Sequence, residues 1–158
     1  MSDDLKATIR DQISDSGKMF LEDLRAMSHD QLATSPGGVA RTPYDFAYEC
    51  VYVNQRCAKR MRGEDPGPWP AGEGFLTAPP DYQDKDYVTK QFEESVAGVL
   101  TGWDSVPPHQ LTRTIELPKG TTNPLDLAKL IVTHLAYHDG QLNYHQAIGG
   151  DAEMHWED

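Results

Sequence analysis

The stretch from Asn123 to Gly150, NPLDLAKLIVTHLAYHDGQLNYHQAIGG, decides the fold. It opens as a helix should: the Asn123 side chain can cap free N–H groups, Pro124 has the φ of a first helical residue, and Asp126 puts a carboxylate at the positive end of the helix dipole. Gly149-Gly150 lets the chain leave the helix. With successive residues about 100° apart, Leu127, Leu130, Ile131, Leu135, Leu142 and Ile148 fall on one face, and Lys129, Thr133, Ala136, Asp139 and Asn143 on the other. The first face is expected to be buried and the second solvated.

Three histidines share the apolar face. His134, His138 and His145 project within about 40° of one another near its middle, with Gln141 beside them. Residues four apart on a helix are neighbours, so His134 and His138 can bring two imidazole nitrogens to one point, and neutral imidazole is a common ligand for zinc, nickel and iron. A lone core histidine is normally satisfied by a carbonyl or a carboxylate. Several in one apolar stripe need more partners, and a bound cation is the simplest. From spacing alone both readings stay open. A zincin-type peptidase is excluded, because Leu135 stands where His-Glu-x-x-His needs its glutamate. His145 lies about two turns beyond His138, too far along the axis to join the same ion, and is expected to be a satisfied core residue.

Outward from this helix, three more are expected. The first opens at Ser2 with Asp3 and Asp4 in its first turn and carries Leu5, Ile9, Ile13, Phe20, Leu24 and Met27 at helical spacing. Ser35-Pro36-Gly37-Gly38 breaks it. Thr42-Pro43-Tyr44-Asp45 starts the second, whose stripe is Phe46, Cys50, Val53, Cys57 and Met61 and which ends near Gly63. On that helix Glu49 sits at the edge of the apolar face and is a candidate third metal ligand, its alternative being a surface carboxylate. A third helix is marked by Tyr87, Val88, Phe92, Val96, Val99, Leu100 and Trp103, and Pro107-Pro108 stops it. The alternation from Leu111 to Leu117 suits one short strand or an extended arm. Between Gly63 and Pro80 lie five of the eleven prolines, which predicts a long irregular loop carrying Trp69 and Phe75.

At 158 residues the chain closes one hydrophobic core, read as a domain over residues 1–150 followed by an acidic tail over 151–158. The formal charge is −11, and Lys and Arg gather into no stripe, so neither nucleic acid nor an anionic membrane is an expected partner. No apolar run approaches a bilayer's thickness and the N-terminus lacks a signal-peptide pattern, which predicts a cytoplasmic protein. Cys50 and Cys57, seven residues apart on one helix, are about 10 Å apart in rise and cannot bridge each other. They are expected to be reduced core residues with no catalytic role. His29, His109, His155 and Trp156 are read as surface or edge packing.

His134-Leu-Ala-Tyr-His138-Asp-Gly-Gln141, followed by Gly149, resembles the C-terminal His-x-x-x-His-x-Gly-Gln pattern of the DinB-like (DinB/YfiT) superfamily. The order of a long first helix, a second beginning Arg41-Thr42-Pro43-Tyr44-Asp45-Phe46, a third, and a His-bearing fourth is similar to that family too. The resemblance implies an all-α, DinB/YfiT-like four-helix bundle, often a homodimer, with a long Pro/Gly-rich loop between helices 2 and 3. It implies a divalent metal (zinc, nickel, iron or manganese) held by one His of the second helix and by His134 and His138. The second-helix His would fall at about Glu49, and no His occurs between His29 and His109. A carboxylate can take that place, so the expected ligands are Glu49, His134 and His138. Relatives that use low-molecular-weight thiols imply a metal-dependent transferase or hydrolase that activates a thiol or water for a small-molecule substrate, with Gln141 as an orienting residue. The alternative is a non-catalytic dimeric bundle with a structural or degenerate metal site.

Overall fold

A computed structural model describes residues 2–70 and 74–156. Residues 71–73 of the expected loop and 157–158 of the expected tail lie outside the described residues.

Five α-helices account for most of the chain: α1 (Ser2–Ala26), α2 (His29–Ala33), α3 (Pro43–Met61), α4 (Lys85–Asp104) and α5 (Pro124–Ile148). The four long ones form the bundle. Their starts follow the local chemistry. Thr42 and Asp45 make a reciprocal capping box ahead of α3, with Pro43 in the first turn, and the Asn123 side chain accepts from Asp126 N at the head of α5. The Asp84 side chain accepts from Tyr87 N to open α4. Gly63, at φ +79°, takes the chain out of α3 in a conformation that a side chain disfavours.

Each long helix packs chiefly on two others, in the cyclic order α1, α4, α3, α5. The core between them is continuous. Phe20 of α1 stacks on Phe92 of α4 with ring centroids 4.5 Å apart, and fully buried Trp103 donates from Nε1 to Lys6 O at 3.0 Å. α3 and α4 approach closely at Gly102, where an added Cβ would lie 3.0 Å from Ala58 O. Inside that seam the Asn54 amide donates to Ser95 Oγ at 3.1 Å. Among the described residues no helix is long and apolar enough to cross a membrane.

The sequence expectations are met for the four long helices and corrected in three places. First, the segment around His29 is not a simple turn: Ser28 and Gln31 form a capping box and hold five residues as α2, with His29 Nδ1 2.8 Å from the Tyr44 hydroxyl. Second, the arm after α4 pairs. β1 (Ile115–Glu116) runs antiparallel to β2 (Thr121–Thr122), a ladder too short for a strand pattern to announce. Third, the buried arc of α5 is turned from the face drawn by its apolar residues. Leu130 and Ile148, expected inside, are about half exposed, and Asp139, expected outside, is buried. α5 packs on both α1 and α3, so its buried arc centres on Ile131, Leu135 and Leu142, about 50° from the expected centre. That rotation sends Asp139 toward α1 and leaves His134 on the rim.

The described parts of the long loop are tied down on either side of residues 71–73. The Arg56 guanidinium donates to the carbonyls of Pro66, Gly67 and Pro68, and Trp69 packs edge-on against Tyr52. Further on, Ala78 N donates to Asp45 Oδ1 at 2.7 Å and Leu76 is buried, which returns the loop to the N-terminal end of α3. Phe75, by contrast, is largely exposed.

Candidate metal centre

Two helices build the centre. Glu49 and Cys50 lie two turns into α3, and His134 and His138 lie on successive turns of α5, across the α3–α5 seam. His138 is fully buried, with its ring stacked on Phe46 at 5.3 Å and meeting the His134 ring edge-on at 4.6 Å. The His134 side chain keeps 16% of its surface exposed, so the site opens on that side.

The nitrogens are aimed. His138 Nδ1 lies 2.7 Å from Gln141 Oε1, and the other end of that amide donates to the Tyr137 hydroxyl at 3.2 Å. An amide oxygen only accepts, so Nδ1 of His138 carries the proton and Nε2 of the neutral ring presents a lone pair. That lone pair faces Glu49 Oε1 at 3.6 Å, and His134 Nε2 lies 3.6 Å from the same oxygen. The separation is too long for a hydrogen bond, and an ionised carboxylate offers only lone pairs. Ligand atoms of a tetrahedral zinc site with bonds of about 2.0–2.1 Å stand roughly 3.3 Å apart, close to the 3.6 Å that separates Glu49 Oε1 from each imidazole nitrogen.

Burial alone would push the Glu49 carboxyl up, but the hydrogen bond and positive charge of Arg41 oppose burial and favour the ionised form. Glu49 is therefore ionised at neutral pH. Its second oxygen pairs with Arg41 Nη1, and that nitrogen also lies 3.3 Å from Leu76 O.

Cys50 completes the cluster from below. Cys50, His134 and His138 place ligand atoms within 4.8 Å of one another and form a group able to hold a metal ion. The Cys50 sulfur lies 4.0 Å from His134 Nδ1, on the opposite side of that ring from Glu49. The two nitrogens of one imidazole point apart, so a single ion uses Glu49 with Nε2 of His134 or Cys50 with Nδ1. Burial, and then the Glu49 charge, push the Cys50 thiol well above its ordinary value, so it is a neutral thiol.

The sequence profile of the DinB superfamily matches residues 12–142 of this chain. The chain belongs to the DinB superfamily. No curated protein and no solved structure matches it. The matched span holds every residue of the centre, from Arg41 on the lead into α3 to Gln141 on α5.

Of the residues expected from sequence, the DinB bundle brings Glu49, His134 and His138 together and sets Gln141 behind His138. His145 stays out of the centre: it is buried with Nε2 2.7 Å from Thr34 O, while its Nδ1 has no partner among the described residues, so it is only half satisfied. His155 pairs with Asp151 at 2.8 Å within the C-terminal segment. Two members of the centre are not marked as such by the sequence. Cys50 reads there as an inert core residue because no His lies near it in sequence, yet His134 stands against it across the seam. Arg41 had no assigned role, and the only available hint was that it precedes the helix whose Glu49 it pairs with.

Proposed function

We propose that this DinB-superfamily chain holds one divalent transition-metal ion, zinc, nickel, iron or manganese, on Glu49, His134 and His138, and serves as a metal-dependent transferase or hydrolase acting on a small molecule. The observation that carries this reading is the orientation of His138: Gln141 Oε1 accepts a hydrogen bond from Nδ1–H and so turns Nε2 toward an ionised carboxylate oxygen, an arrangement that a cation satisfies. A bound ion of this kind supplies a lowered pKa to a low-molecular-weight thiol or to water, making either a nucleophile at neutral pH.

The chain's own groups support that use. Three protein ligands leave a coordination position for an exogenous partner, as catalytic rather than structural zinc sites do. The rim position of His134 gives that partner a way in, while Phe46 walls the other side of the His138 ring. Tyr137 and Gln141 hold His138 against rotation, and Arg41 holds the Glu49 carboxylate by its second oxygen.

A second reading, a non-catalytic dimeric bundle with a structural or degenerate site, draws on two observations. Arg41 already engages Glu49, and on the outer side of α5 Leu130, Tyr137, Tyr144 and Ile148 stand exposed, an apolar surface of the kind a homodimer covers.

Elemental mass spectrometry of the untagged protein separates the two. About one exchangeable ion per chain, reduced at least tenfold in both Glu49→Ala and His138→Ala, is the expected result. No ion after reconstitution with zinc, nickel, manganese or ferrous iron would overturn the metalloenzyme reading.

A further inference from the structure

Arg41 is anchored by one nitrogen and idle at the others. Nη1 serves both Glu49 and Leu76 O, while among the described residues no group accepts from Nε or Nη2. The guanidinium contacts two rings, its Cζ lying 5.2 Å from the Phe46 centroid and 4.5 Å from that of Phe75. Phe46 in turn stacks on His138, so the guanidinium lies on the rim of the metal centre, one ring away from a ligand. Its side chain retains 19% exposure, so the idle donors are reachable.

The charges at this rim do not balance once an ion is present. Glu49 supplies one negative charge against a divalent cation and Arg41 together. Asp45, one turn earlier on α3, has Oδ2 occupied by Thr42 N and Oδ1 by Ala78 N, and counting it still leaves the site positive. The chain as a whole carries −11, but charges beyond about 8–10 Å are screened at physiological ionic strength, whereas a half-buried excess at the rim is not. Phe75, the one large aromatic of the loop left mostly exposed, covers the guanidinium without neutralising it.

We propose that Arg41 is the specificity-determining residue of this site: the ligand that takes the open position on the ion carries a carboxylate, and the free donors of Arg41 bind it. A guanidinium edge presents two parallel N–H donors at the spacing of two carboxylate oxygens, a match that a lysine lacks. The substrate class is thus a small carboxylate-bearing molecule that also carries the thiol or hydroxyl placed on the ion. This rests on the metal reading above and adds to it the identity of the group recognised beside the ion.

The full chain loaded with cobalt(II) provides the test, read from the sulfur-to-cobalt charge-transfer absorption as two probes of equal size are titrated: mercaptoacetate and its neutral amide, mercaptoacetamide. Wild type is expected to bind mercaptoacetate about tenfold or more tightly than the amide, the worth of one charge-assisted contact. Arg41→Gln is expected to keep its cobalt and bring the two probes within about twofold, which also removes chelation of the ion by the probe's own carboxylate as the cause. Arg41→Lys, which keeps the charge and loses the fork, is expected to retain part of the preference and serves if the glutamine variant does not fold. Equal affinity for the two probes in wild type, or an undiminished preference in either variant, would overturn the assignment of Arg41 while the metal reading stands. Failure of wild type to take up cobalt would sink both.

Discussion

His138 and Asp139 are consecutive on α5, both are buried, and they face different seams of the same bundle. On the α3 side, His138 Nε2 and His134 Nε2 each stand 3.6 Å from Glu49 Oε1, beyond hydrogen-bond reach. On the α1 side, Asp139 meets Asp23, and the surrounding amides close in: Asn143 Nδ2 donates to Asp23 Oδ2 at 2.7 Å and to Asp139 O at 3.0 Å, and Gln146 Nε2 lies 3.4 Å from Asp23 O. Among the described residues Oδ1 of Asp23 and Oδ1 of Asp139 have no other partner, and the bond between the two carboxyl groups requires a proton on one of them. Burial first, then the bond to Asp23 and its charge, push the Asp139 carboxyl up to about 7. The α1 seam meets its buried carboxylates with amides and a proton, and the α3 seam sets two imidazole nitrogens about one carboxylate oxygen, the arrangement from which metal binding is proposed.

The sharpest way to break this contrast is to release His138 from its partner. Gln141→Ala leaves the three ligand atoms in place but frees the ring to rotate and to change tautomer, and is expected to weaken zinc affinity by about 10–100-fold with little change in melting temperature. Competition titration against a zinc chelator measures it. An affinity equal to wild type would mean that Gln141 does not hold His138.

The α1 seam predicts the opposite pattern. An acid whose pKa is raised in the folded state binds more protons there than in the unfolded chain, so its contribution to stability is fully present below about pH 4 and is lost as the pH rises through about 7. Asp139→Asn removes the titration and supplies an amide donor to Asp23. Relative to wild type it should therefore gain about 1–2 kcal/mol at pH 8, little at pH 5, and leave metal content unchanged. Denaturant unfolding at the two pH values gives the comparison, and equal differences at both would show that the carboxylates do not share a proton.

Most of the bundle was legible in the sequence because its helices announce their own ends. Thr42-Pro43, Asn123-Pro124, Gly63 and Gly149-Gly150 are local signals, and the His134–His138 spacing is fixed by the helix itself. That the second helix would set Glu49 beside the histidines was legible from the family's order of elements, and Glu49 Oε1 does lie 3.6 Å from His138 Nε2. What could not be read depends on which neighbours a helix meets. α5 is packed by α1 as well as α3, so its buried arc turned toward Asp139, Leu130 came to the surface and His134 moved to the rim. Cys50 and Arg41 joined the centre through contacts across 84 and 8 residues of chain, separations at which no periodicity speaks.

The central claim is the identity of the atoms that converge on the ion, and X-ray absorption spectroscopy at the metal edge of the zinc-loaded protein tests it most directly. The account predicts two imidazole nitrogens and oxygen at about 2.0–2.1 Å with no sulfur shell. A sulfur scatterer at about 2.3 Å in the protein free of added thiol would contradict it, moving the third ligand from Glu49 to Cys50 and turning the His134 ring around.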